Sequence, residues 1–437
     1  MANTVKTNLD GLEVGMYVSR LSVPWIETSF LLEGLMIRSN DEIEQLKAVC
    51  EYAYIDVNKG KAPHPKFILK STNRGNASGN KQGYGNSDIP QKKRSKNLSK
   101  YNGYDESVSK RRIKNYKNKT SFSDELESAS IVHGDLSSDI QVIMSSLNKG
   151  KALNFGNIVD GIRDMTKSVI RNPSAMSWVA HIKRMDDYSY SRALGSSVWC
   201  AIFGRHLGLE IPTIETLSLG GLLLDIGKTR LPVDFLNLPR KLSKPEMRVM
   251  QKHVSFGDSI ISDMNTGLVN HRQYHDLKHM LIDHHERCDG SGYPNGMKNE
   301  DISFFGRIAG IVDSFDAMTS YRPYINTPPM SPSEAVNELY SLRGIKFQAE
   351  LIEQFIQAVG IYPTGSLVEL NTGEVGVIIE INSIRRLRPK LMLILDENKK
   401  AFESIKEVDL EIIDEEVKIK QGLPPGAYDI DLAEFFL

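Results

Sequence analysis

The residues of this chain best suited to chemistry lie in His284-His285-Glu286-Arg287-Cys288-Asp289-Gly290-Ser291-Gly292-Tyr293-Pro294. Consecutive helical residues point about 100° apart, so a helical core does not require both imidazoles. Neutral imidazole is the commonest metal ligand. Asp289-Gly290-Ser291-Gly292 forces a turn, because glycine reaches dihedrals that other residues avoid, and Tyr293-Pro294 stiffens what the turn presents. Taken alone, the stretch also fits a helix end with two surface histidines. Three further features join it. Leu224-Asp225-Ile226-Gly227-Lys228 closes an apolar helix with an acid and a lysine, His253 follows, and Asp313-Ser314-Phe315-Asp316 sets two carboxylates on an otherwise apolar helix. Buried acids are costly unless paired or bound to a metal. A mixed histidine and carboxylate shell suits Fe, Mn or Zn better than Ca or Mg. Such an ion stabilises phosphate oxygens and activates water, and Lys228 is placed to hold a phosphate beside it. The combined set outweighs the reading as scattered surface histidines and salt-bridged acids.

A chain of 437 residues exceeds one ordinary core, and its net charge of -1 with 25% charged residues gives no bias toward nucleic acid or membrane. Cys50, Cys200 and Cys288 are odd in number and far apart, which excludes a disulfide framework or zinc ribbon. The N-terminus lacks the apolar core of a signal peptide, and no run reaches the ~20 apolar residues of a membrane span. A cytoplasmic location is expected.

The fold expected is multidomain and mainly α. Residues 1–58 read as a small mixed α/β domain. Residues 59–122 are rich in Gly, Asn, Ser and Lys and read as a disordered basic linker, whose charge fits either an anionic partner or plain solvation. Residues 123–175 read as lead-in helices, with Ile140, Ile143, Met144 and Leu147 on one face and Ile158, Ile162, Met165 and Val169 on another. A break is expected at Asn172-Pro173. Residues 176–360 read as an all-α domain. Its expected helices include Tyr188 to His206, Ile214 to Leu224, Pro245 to Met264 and Val269 to His285. Residues 361–437 switch to period two and read as a β-rich extension, with a hairpin turn at Asn371-Thr372-Gly373-Glu374. His271, His275 and His279 share a helix face but have no fixed acid or cysteine to complete a site, so a solvated face is expected. His181 and His206 read as ordinary helix histidines.

On the intact His284-His285-Glu286 and Gly292-Tyr293-Pro294 signatures, the chain resembles the HD-GYP domain, the cyclic di-GMP phosphodiesterase branch of the HD metal-dependent phosphohydrolases. The likeness covers about residues 125 to 410. Residues 1–58, with Gly15-Met16-Tyr17-Val18 and Trp25, resemble the uncharacterised domain that often precedes it. The resemblance implies a helical bundle around a two- or three-metal centre that opens cyclic di-GMP to pGpG or GMP. Carried over residue by residue, it implies Asp225, His253, His284, His285 and Asp313 as metal ligands. It implies Asp225 and Lys228 in catalysis, and Lys228, Arg322, Gly292, Tyr293 and Pro294 in substrate binding.

Four positions depart from the family pattern. Its first histidine aligns with Arg192 and the histidine of its HD pair with Leu224; Tyr321 and Ile325 replace an aspartate and a basic residue around Arg322. Arginine does not deprotonate in proteins, and leucine has no donor atom, so one metal position loses two ligands. Arg192 is expected either to supply charge where that metal sat or to pair with Asp225 or Asp313. The resemblance therefore implies an Fe or Mn centre, with Zn as the alternative, at reduced occupancy. A degenerate, cyclic di-GMP-binding regulatory protein is expected first. An active phosphodiesterase with a reduced metal set and an interaction scaffold are the alternatives. Expected partners are cyclic di-GMP, diguanylate cyclase-type or other signalling proteins, and a second copy in a homodimer.

Overall fold

The computed structural model describes residues 4–22, 35–37, 40–58, 60–69, 114, 116–148, 156–182, 188–236, 238, 240–263, 271–320, 328–382, 385, 387–414, 416–430 and 432. The chain divides into two compact units, Met1–Arg112 and Ile113–Leu437. Among the described residues no helix is long and apolar enough to cross a membrane.

In the first unit, β1 (Thr4–Asn8), β2 (Tyr17–Leu21), β3 (Leu35–Met36) and β4 (Tyr52–Asp56) form an antiparallel sheet in the order β1-β4-β2-β3. Alternation turns Val18, Ala53 and Ile55 inward, where they meet Ile43 and Leu46 of α1 (Asn40–Val49). Residues 60–69, expected in the linker, belong to this unit instead. The Lys61 amide donates to Gly15 O (2.7 Å) and the Leu69 amide to Lys6 O (2.8 Å). The few large apolar residues there, Phe67, Ile68 and Leu69, are diluted in composition by the polar tract that follows. Trp25 and residues 70–113 of the expected linker lie outside the described residues.

The second unit opens with α2 (Phe122–Asn148) and α3 (Gly156–Arg171), whose expected faces are buried except Leu147, which is half-buried. The break falls at Asn172: its side chain accepts from the Ser174 amide (3.0 Å), and α4 (Pro173–Ile182) begins on the proline. Glu125 on α2 is buried against Arg171, which donates through Nε (2.7 Å) and Nη2 (2.6 Å), so the first helix is fixed to the second.

Two helices form the floor of the domain, α5 (Tyr188–His206) and α6 (Ile211–Leu223). Small residues let them approach closely: a Cβ on Gly221 would lie 2.7 Å from Ser196 O, and Ser197 Oγ donates to Ser218 O at 2.8 Å. After a single helical turn at Val233–Leu236 come α7 (Lys244–Met250) and α8 (Lys252–Asp263). The single helix expected from Pro245 to Met264 is thus broken at Gln251, beside a His253 ring that takes up the Met250 carbonyl. Then follow α9 (His271–Asp283), α10 (Phe304–Thr319), α11 (Pro332–Ser341) and α12 (Ala349–Val359). Ser303 and Ser331 cap α10 and α11 by accepting from the amides of Gly306 and Glu334. Phe203, Phe355, Phe315 and Trp199 form an edge-to-face column, with successive centroids 5.2, 5.3 and 5.4 Å apart. Each such pair adds about 0.5–1.5 kcal/mol beyond its buried area, and together they fix α10 and α12 on α5.

The β-rich extension is a five-stranded antiparallel sheet in the order β8-β7-β6-β5-β9. Its strands are β5 (Leu367–Leu370), β6 (Val375–Glu380), β7 (Lys390–Leu395), β8 (Ala401–Asp409) and β9 (Ile419–Gly422). The expected hairpin joins β5 to β6, with Gly373 at φ +106°.

Candidate metal centre

Chain crossings that tolerate no side chain build the site. Beyond α6 the chain leaves helical geometry at Asp225 (φ -99°, ψ 9°) and enters a 3-10 turn, Ile226–Arg230. A Cβ on Gly227 would lie 1.9 Å from His253 O, so this turn lies directly on α8 and carries Asp225 to His253. Leu224, one residue earlier, is buried. Helix α9 ends at Asp283, two residues before the expected end, so His284 and His285 occupy the turn that follows. Freed of helical spacing, their rings lie 3.9 Å apart. A Cβ on Gly310 would meet His284 O at 2.8 Å, so α10 rests against this turn and brings Asp313 with it.

One ligand atom each from Asp225, His253, His284 and His285 falls within 4.8 Å of the others. His253 Nδ1 lies 2.7 Å from Met250 O and His284 Nδ1 2.7 Å from Leu281 O. A carbonyl only accepts, so both Nδ1 atoms carry the proton and both Nε2 atoms keep the lone pair. Those two Nε2 atoms and Asp225 Oδ1 are buried without a hydrogen-bond partner. Burial pushes the His253 imidazolium down to about 4, against the opposing pull of Asp225. Burial likewise lowers His284 and His285, the latter also through its histidine neighbours. Burial would raise Asp225, but Lys228, Arg192 and His253 together hold its carboxyl well below the usual range. Neutral imidazoles, an ionised carboxylate, orphaned lone pairs and ring orientations fixed by backbone carbonyls are what a first-row divalent ion requires. Such an ion would supply Lewis acidity and a bound water of lowered pKa.

The opposite side of Asp225 is cationic. Lys228 Nζ donates to Asp225 Oδ2 at 2.6 Å, and Arg192 Nη1 stands 3.5 Å from the same oxygen. Arg192 also donates from Nη2 to Asp313 Oδ1, and its Nε lies 3.7 Å from Asp316 Oδ2. Of the two sequence expectations for Arg192, the ion pair is realised, with Asp313 and Asp225 both engaged. Asp313, expected as a ligand, thus faces the guanidinium; its Oδ2 lies 3.9 Å from His285 Nδ1, outside the group of four. Lys228, expected on a phosphate, bonds Asp225. Tyr321, Arg322 and Ile325 lie outside the described residues.

The loop after the histidines is held from beneath. Glu286 is buried and accepts from the amides of Asn295 (2.7 Å) and Met297 (2.9 Å). A Cβ on Gly292 would lie 2.5 Å from His285 O and Arg287 N, so only glycine fits where the loop folds back. The result lays the Tyr293 ring on His285, with centroids 4.6 Å apart and planes inclined by 32°. Burial raises the Tyr293 phenol, keeping it a neutral donor. Lys346 ties the outer edge, donating to Asp289 Oδ2 (2.8 Å) and Ser291 Oγ (2.7 Å). Sequence reasoning missed the roles of Glu286, Lys346 and Asp316. The three-residue spacing of Asp313 and Asp316 on an apolar helix was the one available signal. His275 and His279 face each other at 4.5 Å, but no second metal-capable group occurs among the described residues. His206 bonds Gln354, as a packing histidine does.

Residues 174–351 match the HD domain family. Flanking them, residues 4–158 match a domain of unknown function (DUF3391) and residues 367–415 the KOW domain associated with HD domain. The HD-domain relatives include a cyclic di-GMP phosphodiesterase of Pseudomonas aeruginosa, 32% identical over 252 residues, covering 57% of this chain and 58% of that protein. A 3'3'-cGAMP-specific phosphodiesterase of Vibrio cholerae is 28% identical over 207 residues, covering 46% of this chain and 36% of that protein. The chain therefore spans less than two thirds of these relatives. Among solved structures, the HDG"Y"P protein of Bdellovibrio bacteriovorus has a TM-score of 0.42 at 14% identity, covering 81% of this chain and 98% of that one. At that distance no residue can be carried across.

Proposed function

We propose that this HD domain binds a cyclic dinucleotide of the cyclic di-GMP class at a divalent ion held by Asp225, His253, His284 and His285, and acts as a receptor rather than an efficient hydrolase. The observation that carries the reading is the ion pair of Arg192 with Asp313. A guanidinium has no lone pair to give a metal, and Leu224 has no donor atom. Two-metal hydrolysis of a phosphodiester clamps both the attacking and the leaving oxygen, and with a guanidinium on the Arg192 side the ligand-capable residues provide for only one such clamp. Binding needs less: a cation, a tyrosine face at Tyr293 and the Lys228 ammonium meet a phosphate and a base. That relatives are cyclic di-GMP and 3'3'-cGAMP phosphodiesterases supports the ligand class. A second reading, hydrolysis with a reduced metal set, is favoured by the intact group of four ligand-capable residues.

The test is turnover and binding of cyclic di-GMP by the full chain, purified anaerobically and supplied with Fe(II) or Mn(II), with Asp225→Ala as control and 3'3'-cGAMP as second ligand. Binding without turnover is expected. Turnover that Asp225→Ala abolishes would establish the hydrolase instead, and absence of both would leave a scaffold.

A further inference from the structure

Asp225 divides its two oxygens between unlike environments. Oδ1 is buried and stands 3.6 Å from the lone pair of His253 Nε2, while Oδ2 meets Lys228 and Arg192. The Arg192 guanidinium is in turn ringed by three carboxylates drawn from two segments. Asp225 comes from the turn after α6, and Asp313 and Asp316 from positions three residues apart on α10. Asp316 is fully buried and Arg192 is 13% exposed, so this cage is largely screened from water. Three anions converging in so small a space demand a cation. In this chain that cation is covalently attached and does not lose its charge at any working pH.

We propose that Arg192 restricts the centre to one divalent ion, because its guanidinium fills the carboxylate cage of Asp225, Asp313 and Asp316 and holds Asp313 out of the metal's ligand shell. The inference rests on the metal reading above, but not on any nucleotide. A second ion entering the cage would have to expel a guanidinium whose Cα is fixed in α5, and whose helix is locked to α10 by Trp199 and Phe315. Without the guanidinium, the same three carboxylates become a hard-oxygen site beside the histidine-rich one.

The experiment counts metal. The full chain, stripped with chelator, is equilibrated with Mn(II) alone; bound manganese is measured by atomic emission and its coupling by electron paramagnetic resonance. One magnetically isolated equivalent is expected for the wild type. A second, weaker equivalent is expected for Arg192→Ala, and still one for Asp313→Asn. Two equivalents or none in the wild type, or one in folded Arg192→Ala, would overturn the proposal. So would loss of the single equivalent in Asp313→Asn, a variant that keeps the test decisive if Arg192→Ala does not fold. Titrating cyclic di-GMP into the same manganese-loaded wild type separates the two readings. One manganese with no nucleotide bound removes the receptor and leaves the single-ion centre standing.

Discussion

On one side of Asp225, two imidazoles present buried lone pairs to which nothing donates; on the other, Arg192 and Lys228 already neutralise the carboxylates they touch. Both sides draw on the same acid, yet on the second side fixed cations already stand against the carboxylates. The difference shows that a cluster of acids and bases indicates a metal only where donor atoms lack partners. Asp313 belongs by sequence with the ligands and by geometry with the salt bridge.

The comparison can be broken at its stronger end first. Arg192→Ala takes the guanidinium away from the buried Asp313 and Asp316, and a loss of about 3–5 kcal/mol in urea unfolding of the metal-free protein is expected. A loss under about 1 kcal/mol would show that the arginine side is not the charge-balanced half. On the histidine side, His253→Ala should weaken Mn(II) binding by more than the roughly 10–100-fold that follows loss of an outer hydrogen bond. Equilibrium dialysis reads this directly, and unchanged affinity would remove His253 from the shell. Gly292→Ala forces a Cβ onto Arg287 N and His285 O, and should cost about 1–3 kcal/mol while loosening Tyr293 from His285. Thermal melts combined with tyrosine fluorescence follow both effects.

The smallest effect sharpens the contrast with an ordinary arginine–carboxylate pair, in which only the acid is buried. Burial would raise Glu125, but Arg171, Ser168 and Thr120 together hold it below the usual carboxylate range. A depressed folded pKa means that the unfolded chain binds the proton more readily. The pair's stabilisation is therefore complete above the unfolded value of about 4.3 and fades as pH falls through the lower folded one. Glu125→Gln should flatten the pH dependence of stability in that window and leave Mn(II) uptake untouched. Altered uptake would mean that the lead-in helices act on the centre.

Much of this was legible beforehand because it rests on local rules. The apolar faces of α2 and α3, the proline break at Asn172 and the period-two strands of the extension follow from burial and backbone chemistry within a few residues. His253, His284 and Asp225 stood out because their residue types are expensive to bury. Three things were not legible. The end of α9 at Asp283 depends on the turn being covered by α10, a contact distant in sequence. The choice of Asp313 between metal and arginine depends on where α5 sets Arg192. The clamp from Lys346 comes from a loop between α11 and α12 whose composition carries no sign of it.

Gly227 gives the centre one further property. The turn bearing Asp225 reaches His253 only because residue 227 has no side chain, and His284 and His285 arrive from beyond α9. No local segment can assemble this set, so an unfolded chain offers an ion at most the adjacent pair His284 and His285. Uptake of a divalent ion at this group would then read out the native state, and the ion would in return stabilise it against unfolding. At a hundredfold excess over its dissociation constant, a ligand that binds only the folded form stabilises it by about 2.7 kcal/mol.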